Sequence, residues 1–408
     1  MTSDALPDSP MQPALSAAKN NVVRLGIAQA LAGANNAVAY ATGAIIGSTL
    51  APTKELATLP ITVFVVGMAI STLPTGAIAR RYGRRTAFLA GTSCGFLVGL
   101  LAAISVIIGS FWLFCLAMFF GGAYNAVVLS FRFAAADCVP PEKKPRALSL
   151  VMAGGVVAGI LGPQLVTFTM DLWQPYVFAA TFIAQAAVAV LAGIVLSGVR
   201  VPKPTAAETA GGRPLGIIVR QPRFIAAVIC GVVSYTLMNF IMTSAPLAMR
   251  LCGLPQEASN LGIQWHIIAM YAPSFFTGHL ITRFGTTRVI LTGLLLISLS
   301  ATIGLTGIDQ AHFWLTLILV GVGWNFGFLG ASAMVLECHR PEERTRVQSL
   351  NDFMVFGMMT IGSFSSGTLL MAKGWDAVLW VTFFPIVIAV AALAATSMRR
   401  TPQASGQA

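Results

Sequence analysis

Charged residues are scarce in this chain. Asp, Glu, Lys and Arg make up only 10% of its 408 residues, whereas 56% are hydrophobic. A soluble domain carries about 25% charged residues, so this composition argues against a water-soluble enzyme or receptor. Acidic residues are the rarest class, with 14 Asp and Glu against 25 Lys and Arg. The chain is therefore predicted to lie in a lipid bilayer.

Several chemical signatures are missing as well. The six cysteines include no Cys-x-x-Cys pair, which argues against a thioredoxin-like or zinc-ribbon site. The sequence contains no Walker phosphate loop, no nucleophile elbow and no metalloprotease signature. We therefore predict neither an enzymatic activity nor a resident cofactor.

Long apolar stretches recur along nearly the whole chain. About 20 apolar residues in a helix cross the roughly 30 Å of bilayer hydrocarbon, and in lipid the backbone must satisfy its own hydrogen bonds. We predict an all-α membrane protein with twelve transmembrane helices. The predicted spans are 22–50, 57–79, 86–108, 111–136, 146–170, 175–198, 223–249, 260–282, 288–308, 311–336, 347–371 and 375–397.

The basic residues indicate an orientation. Of the 25 Lys and Arg, 21 fall on the side of the N-terminus, and only Lys54, Arg250 and Lys373 fall on the opposite side, with Arg132 inside a span. Positive loops stay in the cytoplasm, so both termini are predicted to be cytoplasmic in a multi-pass membrane protein. The net charge of +11 follows from this topology and does not predict nucleic-acid binding.

The two halves of the chain are related by an internal duplication. Seven residues recur 200 positions later, and a second match at an offset of 202 relates Gly76, Arg81 and Gly83 to Gly278, Arg283 and Gly285. The first set comprises Gly121, Asn125, Cys138, Pro141, Glu142, Arg146 and Ser149.

Six helices used twice predict two pseudo-symmetric bundles. We place the N-terminal six-helix bundle at 1–198, a cytoplasmic linker at 199–222 and the C-terminal bundle at 223–408. Such a pair of repeats predicts a midplane cavity that opens alternately to either side by rocking.

The loop after the second span resembles the signature of the major facilitator superfamily. The stretch from Gly76 to Arg85 matches that signature, although Arg80 stands where the family usually has an acidic residue. The resemblance implies the major facilitator fold and a gate formed by this loop and the facing helix. The expected gating residues are Arg81, Gly83, Arg84, Arg85 and Asp137.

Two short motifs suggest a soft-metal site within the membrane. Met238 and Met242 lie in the seventh span, His266 and Met270 lie in the eighth, and residues four apart share a helical face. Thioether and imidazole ligands favour Cu(I). The alternatives are that the methionines pack in the core and that His266 couples protons or bonds a polar neighbour.

These two motifs resemble the marks of the CcoA-like copper importers, a bacterial branch of the superfamily. The resemblance implies copper uptake across the inner membrane for cytochrome oxidase assembly. Related branches are associated with riboflavin, so an organic-solute carrier, for riboflavin or a drug-like compound, is the alternative. A metal-sensing receptor is a third class, but it would need an output domain that this chain lacks.

Two cysteines lie near the predicted metal site. Cys230 precedes Met238 by eight residues, and Cys252 lies just beyond the seventh span on the periplasmic side, so both are candidates for a redox step or a metal relay. The alternative is that the cysteines are small apolar packing residues. The expected partners are the copper ion and the lipid bilayer, together with a periplasmic thiol-redox protein or copper chaperone.

Several polar residues lie at membrane depth. They either line the cavity or bond across helices, and these residues are Asn35, Asn36, Tyr40, Asn125 and Asn325. Arg132 is the one formal charge well inside a span, and we expect either a salt bridge with Asp137 or a role in coupling.

Overall fold

The described part of the computed structural model comprises residues 11–53, 56, 59–201 and 212–398. Within these ranges the chain is helical and contains no strand. Ten helices are long and apolar enough to cross a membrane. The two other spans are the long first helix and a helix pair interrupted at Pro273.

The N-terminal half forms six helices. Ser110 caps α4, because its side chain accepts a hydrogen bond from the backbone N–H of Leu113. The six helices are α1 (Met11–Leu50), α2 (Leu59–Tyr82), α3 (Arg84–Ile108), α4 (Phe111–Asp137), α5 (Lys144–Thr169) and α6 (Ala179–Ser197).

The C-terminal half repeats this pattern with two differences. The eighth span is split into two helices, and the eleventh and twelfth spans, numbered together as α12, are two helical segments that meet at Gly374, whose non-helical φ of 83° suits glycine. The helices are α7 (Pro222–Leu251), α8 (Gln256–Tyr271), α9 (Ser274–Phe284), α10 (Thr286–Thr306), α11 (Gln310–Leu336) and α12 (Arg344–Met398).

At the break between α8 and α9, a side chain of α11 forms hydrogen bonds with both helices. Pro273 lacks a backbone N–H, so the regular ladder of hydrogen bonds fails here. The side-chain Nδ2 of Asn325 donates to the Met270 backbone carbonyl and to Ser274 Oγ, each at 2.6 Å. Its side-chain Oδ1 accepts a hydrogen bond from Thr277 Oγ1 at 2.6 Å. Asn325 therefore holds the two short helices together as one span.

The duplication predicted from the sequence is visible in local structure. The repeated Pro-Glu pairs form short 3-10 turns at Pro141–Lys143 and Pro341–Glu343. Gly83 and Gly285 both have positive φ at equivalent turns. The predicted fold class of twelve helices in two six-helix bundles is confirmed. The boundaries at 198 and 223 stay a prediction, and residues 202–211 of the linker lie outside the described residues.

The end of the molecule that carries Arg80, Arg84 and Arg146 is called the basic end. Here the bundles meet through a pseudo-symmetric pair of glycine–serine contacts. A Cβ on Gly76 would overlap Ser349, and a Cβ on Gly278 would lie 2.9 Å from Ser149 Cβ. Ser149 Oγ also accepts a hydrogen bond from the Gly278 N–H at 3.0 Å. Both glycines are required because the helices approach too closely for any side chain.

The chain enters the C-terminal bundle through a buried ion pair. Arg213 Nε and Nη2 donate to Glu343 at 2.8 Å and 2.7 Å, and the Arg213 backbone N–H donates to the same carboxylate at 2.8 Å. Glu343 is fully buried and also accepts from the Arg340 N–H at 2.9 Å. This bidentate pair fixes the end of the linker to the turn before α12.

Gly76→Ala is expected to separate the bundles at the basic end, because the new Cβ would overlap Ser349. Hydrogen exchange should be faster in peptides covering the end of α2 and the start of α12. Gly357→Ala is the matched control, since a Cβ there meets no atom within 4 Å. Equal exchange in the two variants would contradict the close-contact assignment.

Glu343→Gln is expected to lower the free energy of unfolding by about 1–3 kcal/mol, because the hydrogen bonds around residue 343 lose their buried anion. The loss is limited to this range because Arg213 keeps partial access to water. A thermal melt of the purified protein measures this change. Glu142→Gln, at the exposed equivalent turn, should leave the melting temperature unchanged. A melt of the Glu343 variant that matches this control would show that the pair is not stabilising.

Candidate functional site

Five aromatic side chains pack together at mid-depth in the C-terminal bundle, and we call them the aromatic cluster. The Tyr235 ring contacts the rings of Trp324, Phe328 and Phe356 at centroid distances of 5.5, 5.0 and 5.5 Å. Trp324 stacks on Phe328 at 5.3 Å and meets Tyr271 edge-on at 5.6 Å. Four helices, α7, α8, α11 and α12, contribute to this cluster.

Helix geometry places the cluster near the membrane midplane. Tyr235 lies 13 residues into α7 from the basic end, or about 20 Å. Trp324 lies 12 residues from the basic end of α11, or about 18 Å. The cluster thus lies at the depth where two rocking bundles form a substrate cavity.

The cluster reaches the other bundle through Tyr271. Gly155 of α5 lies directly against the Tyr271 ring, since a Cβ at this glycine would overlap it. Tyr40 of α1 packs edge-on against Phe64 at 5.2 Å within the N-terminal bundle. The aromatic cluster therefore contacts the N-terminal bundle where Tyr271 meets α5.

Buried polar atoms without partners occur in the same bundle. Within the part of the chain that the structure describes, three buried atoms have no hydrogen-bond partner, namely Trp324 Nε1, Asn239 Nδ2 and His266 Nε2, although each residue is at least 98% buried. An unsatisfied buried group of this kind costs about 1–3 kcal/mol, so a bound solute that supplies partners would be stabilised. The aromatic surface and these uncharged groups together suit a planar, neutral molecule with a hydrogen-bonding edge.

A buried charge lies between this cluster and the basic end. Arg132 of α4 is fully buried and donates to Asp352 of α12 at 2.6 Å and to Ser332 of α11 at 3.2 Å. Its guanidinium lies 4.3 Å from the Phe133 ring centroid and 4.6 Å from that of Phe328. Arg132 therefore links the N-terminal bundle to the C-terminal bundle.

A second arginine joins the bundles closer to the basic end. Arg84 bonds Asp137 of its own bundle and donates to Gln348 Oε1 of the other bundle at 2.6 Å. Burial lowers the pKa of His339 below its usual value, and the side-chain nitrogen of Gln348 lies 3.3 Å from Nε2 of this ring. A cavity of about 30 Å³, large enough for about one water molecule, lies beside Arg84, Gln348 and Asp352.

The gating residues predicted from the sequence lie in two different environments in the structure. Gly83 adopts a φ of 92° before α3, and Arg84 pairs with Asp137. Arg81 and Arg85 are exposed. Arg132 pairs with Asp352 rather than with Asp137, the partner expected from the sequence, because Asp137 is bonded to Arg84.

The predicted metal ligands lie in the core of the C-terminal bundle. Met238 and Met270 are buried and Met242 is half-buried against the hydrophobic core. The ring of His266 is fully buried, with Nδ1 2.7 Å from the Leu317 carbonyl. Since a carbonyl can only accept, Nδ1 is the donor in this bond. Among the described residues, no group of three or more His, Cys, Asp or Glu could hold a metal.

The two cysteines proposed for a redox step or relay lie in different environments. Cys230 is fully buried in α7, and its thiol lies 3.9 Å from the Ala389 carbonyl. Cys252 is exposed at the end of the same helix. The redox and relay roles stay a prediction.

The polar residues expected at membrane depth bond across helices. Asn36 donates to Asn125, which in turn contacts Met68 Sδ at 3.2 Å. Asn35 and Gln185 exchange hydrogen bonds between α1 and α6 at 3.1 and 3.3 Å. The sequence left two roles open for these residues, lining the cavity or bonding across helices. These contacts, together with those of Asn325, correspond to the second role.

The aromatic cluster was missed from the sequence, although a signal existed. Tyrosine is enriched at membrane interfaces, yet five of the six tyrosines lie inside the predicted spans, and Tyr40, Tyr124, Tyr235 and Tyr271 lie well away from the span ends. Tyr124 and Trp324 also occupy equivalent positions in the duplication, each directly before a repeated asparagine. Aromatic residues at mid-depth were thus detectable, but their convergence from four helices was not.

This chain is similar in sequence to known transporters and similar in fold to solved transporter structures. It is 47% identical over 379 residues to the riboflavin transporter RfnT of Brucella anthropi, which covers 92% of this chain and 95% of that protein. It is 30% identical over 399 residues to the uncharacterized MFS-type transporter YdeG of Bacillus subtilis, covering 91% of each chain. Among solved structures, the proton:xylose symporter XylE has the same fold with a TM-score of 0.78, at 13% identity and 92% and 95% coverage.

The prediction of copper import is wrong. The relative that matches 92% of the chain at 47% identity is a riboflavin transporter, and the assignment to a CcoA-like branch finds no support. The physical reason lies in the pattern itself, because methionine and histidine four residues apart also suit an apolar helix face that packs in a core. The bond from His266 to Leu317 satisfies part of its polarity without a metal.

The superfamily assignment rests on the whole chain. The family model of the Major Facilitator Superfamily matches residues 25–273 and 263–408. The resemblance at the loop after α2, the twelve helices and the two related bundles agree with this match. The chain is a membrane transporter and belongs to the Major Facilitator Superfamily.

Proposed function

We propose that this protein carries riboflavin across the bacterial inner membrane and binds it at the aromatic cluster between the two bundles. The observation that carries the proposal is the 47% identity along 92% of the chain to a riboflavin transporter. The aromatic cluster supplies the chemistry that such a substrate needs.

Riboflavin is an uncharged molecule that combines a flat three-ring system with a hydroxylated chain. Its ring is matched by the stacked pair Trp324 and Phe328 and by the edge of Tyr235. Stacking of a heterocycle on an aromatic side chain contributes about 1–3 kcal/mol. The unpaired Trp324 Nε1 and Asn239 Nδ2 are donors suited to the carbonyl edge of the ring or to the chain.

The excess of basic residues supports a cytoplasmic location for the basic end and for both termini. The glycine–serine contacts and the Arg84 and Arg132 bonds then hold the cytoplasmic side closed. Transport requires these contacts to break while the bundles rock about the bound ring. The interface is separable, because non-covalent bonds and close contacts join the bundles at the basic end.

Trp324→Leu is expected to reduce riboflavin uptake at least about tenfold, since the stacking surface is lost. Uptake of radioactive riboflavin into cells that lack their own carrier measures this effect. Phe313→Leu is the matched control, because Phe313 is equally buried in α11 but contacts Trp375 outside the cluster. Its uptake should remain near that of the wild type at equal protein level.

Copper uptake is measured in the same cells. It should equal that of empty cells, and His266→Ala should not change it. Saturable copper accumulation without riboflavin accumulation would overturn the proposed function. Equal riboflavin uptake by the Trp324 and Phe313 variants would refute the aromatic cluster as the binding site.

A further inference from the structure

We propose that Phe328 couples occupancy of the aromatic cluster to opening of the basic end, because its ring contacts both the cluster and Arg132. This inference rests on the proposed function. It assigns to Phe328 a positioning role that acts through Arg132.

Phe328 is the residue at which the aromatic cluster and the charged layer meet. Its ring stacks on Trp324 with an interplanar angle of 18° and meets Tyr235 edge-on. The same ring lies 4.6 Å from the guanidinium carbon of Arg132. A flavin that enters the cluster must share or displace the Phe328 ring, and either change alters the contact with Arg132.

Arg132 is held by partners in both bundles. Phe133 neighbours it on α4 and therefore moves with it. Phe328, Ser332 and Asp352 belong to the C-terminal bundle. When the bundles separate at the basic end, Arg132 keeps Phe133 and the Leu129 carbonyl of its own helix but loses its three partners in the C-terminal bundle. The contacts to the C-terminal bundle thus act as a latch that favours the closed basic end.

The latch is sensitive to small changes because its charges are buried. Arg132 is fully buried and Asp352 is 4% exposed. Asn351 also donates to Asp352 at 3.0 Å, so the carboxylate is held in a fixed position. A desolvated cation is attracted to the face of an aromatic ring more strongly than an exposed cation is. Withdrawal of one ring therefore shifts the balance between closed and open states without breaking the ion pair first.

Phe328→Leu and Phe133→Leu form a matched pair of variants. Each variant removes one aromatic ring that lies against the Arg132 guanidinium, at 4.6 Å for Phe328 and 4.3 Å for Phe133. Only Phe328 also contacts the other rings of the aromatic cluster. Phe328→Tyr restores an aromatic ring and serves as the rescue. The probe is riboflavin at a saturating concentration, so that weaker binding in the Phe328 variants does not decide the result.

The experiment measures hydrogen exchange in peptides at the end of α2 and the start of α12, with and without riboflavin. The wild type, Phe133→Leu and Phe328→Tyr should show faster exchange when riboflavin is added. Phe328→Leu should lose this response while riboflavin fluorescence still reports binding. An unchanged response in Phe328→Leu would overturn the inference and leave the proposed function intact.

A latch experiment without ligand separates the two proposals. Asp352→Asn should raise exchange at the basic end by about tenfold in the absence of riboflavin. The double variant Arg132→Met with Asp352→Leu leaves no unpaired charge and should show the same increase if Asp352→Asn fails to fold. Slow exchange in the double variant would overturn the latch. A wild type that binds no riboflavin would overturn the proposed function and the coupling role of Phe328, whatever the latch result.

Discussion

A single buried cation, Arg132, constrains the arrangement of the two bundles. A guanidinium inside a membrane protein requires partners for its charge, and here they are drawn from both halves of the chain. Asp352, Ser332 and Phe328 come from one bundle, while Phe133 comes from the other. The close glycine–serine contacts at the basic end are compatible with this pairing, because they bring α2 against α12 and α5 against α9. The aromatic cluster above it depends on the same alignment.

Two layers of different chemistry follow along the membrane normal. The basic end is polar and closes through hydrogen bonds and ion pairs, which are non-covalent and can be broken and reformed. The midplane is aromatic and nearly without charge, which suits a flat neutral solute. Phe328 belongs to both layers, so a substrate that changes its position changes the charged layer as well. This connection gives a physical route from binding to rocking without a change in any helix.

The helices were predictable because the bilayer constrains their length and hydropathy. The duplication was recognisable because Pro141 and Pro341 begin equivalent turns in the two halves. The break at Pro273 was not predicted, because the Asn325 side chain that satisfies it comes from another helix. Met238 and His266 suggested a metal site because spacing cannot distinguish a ligand face from a packed face. The partner of Arg132 was also misassigned, since Asp352 lies 220 residues away in sequence. Long-range packing, which sequence periodicity does not encode, decided each of these cases.

The central claim is that riboflavin binds at the aromatic cluster. A structure of the protein determined with riboflavin tests it most directly. The account predicts density for the three-ring system against Trp324 and Phe328, with its polar edge toward Trp324 Nε1 or Asn239, at mid-depth between the bundles. Density for the ring at a site that touches neither Trp324 nor Phe328 would contradict it.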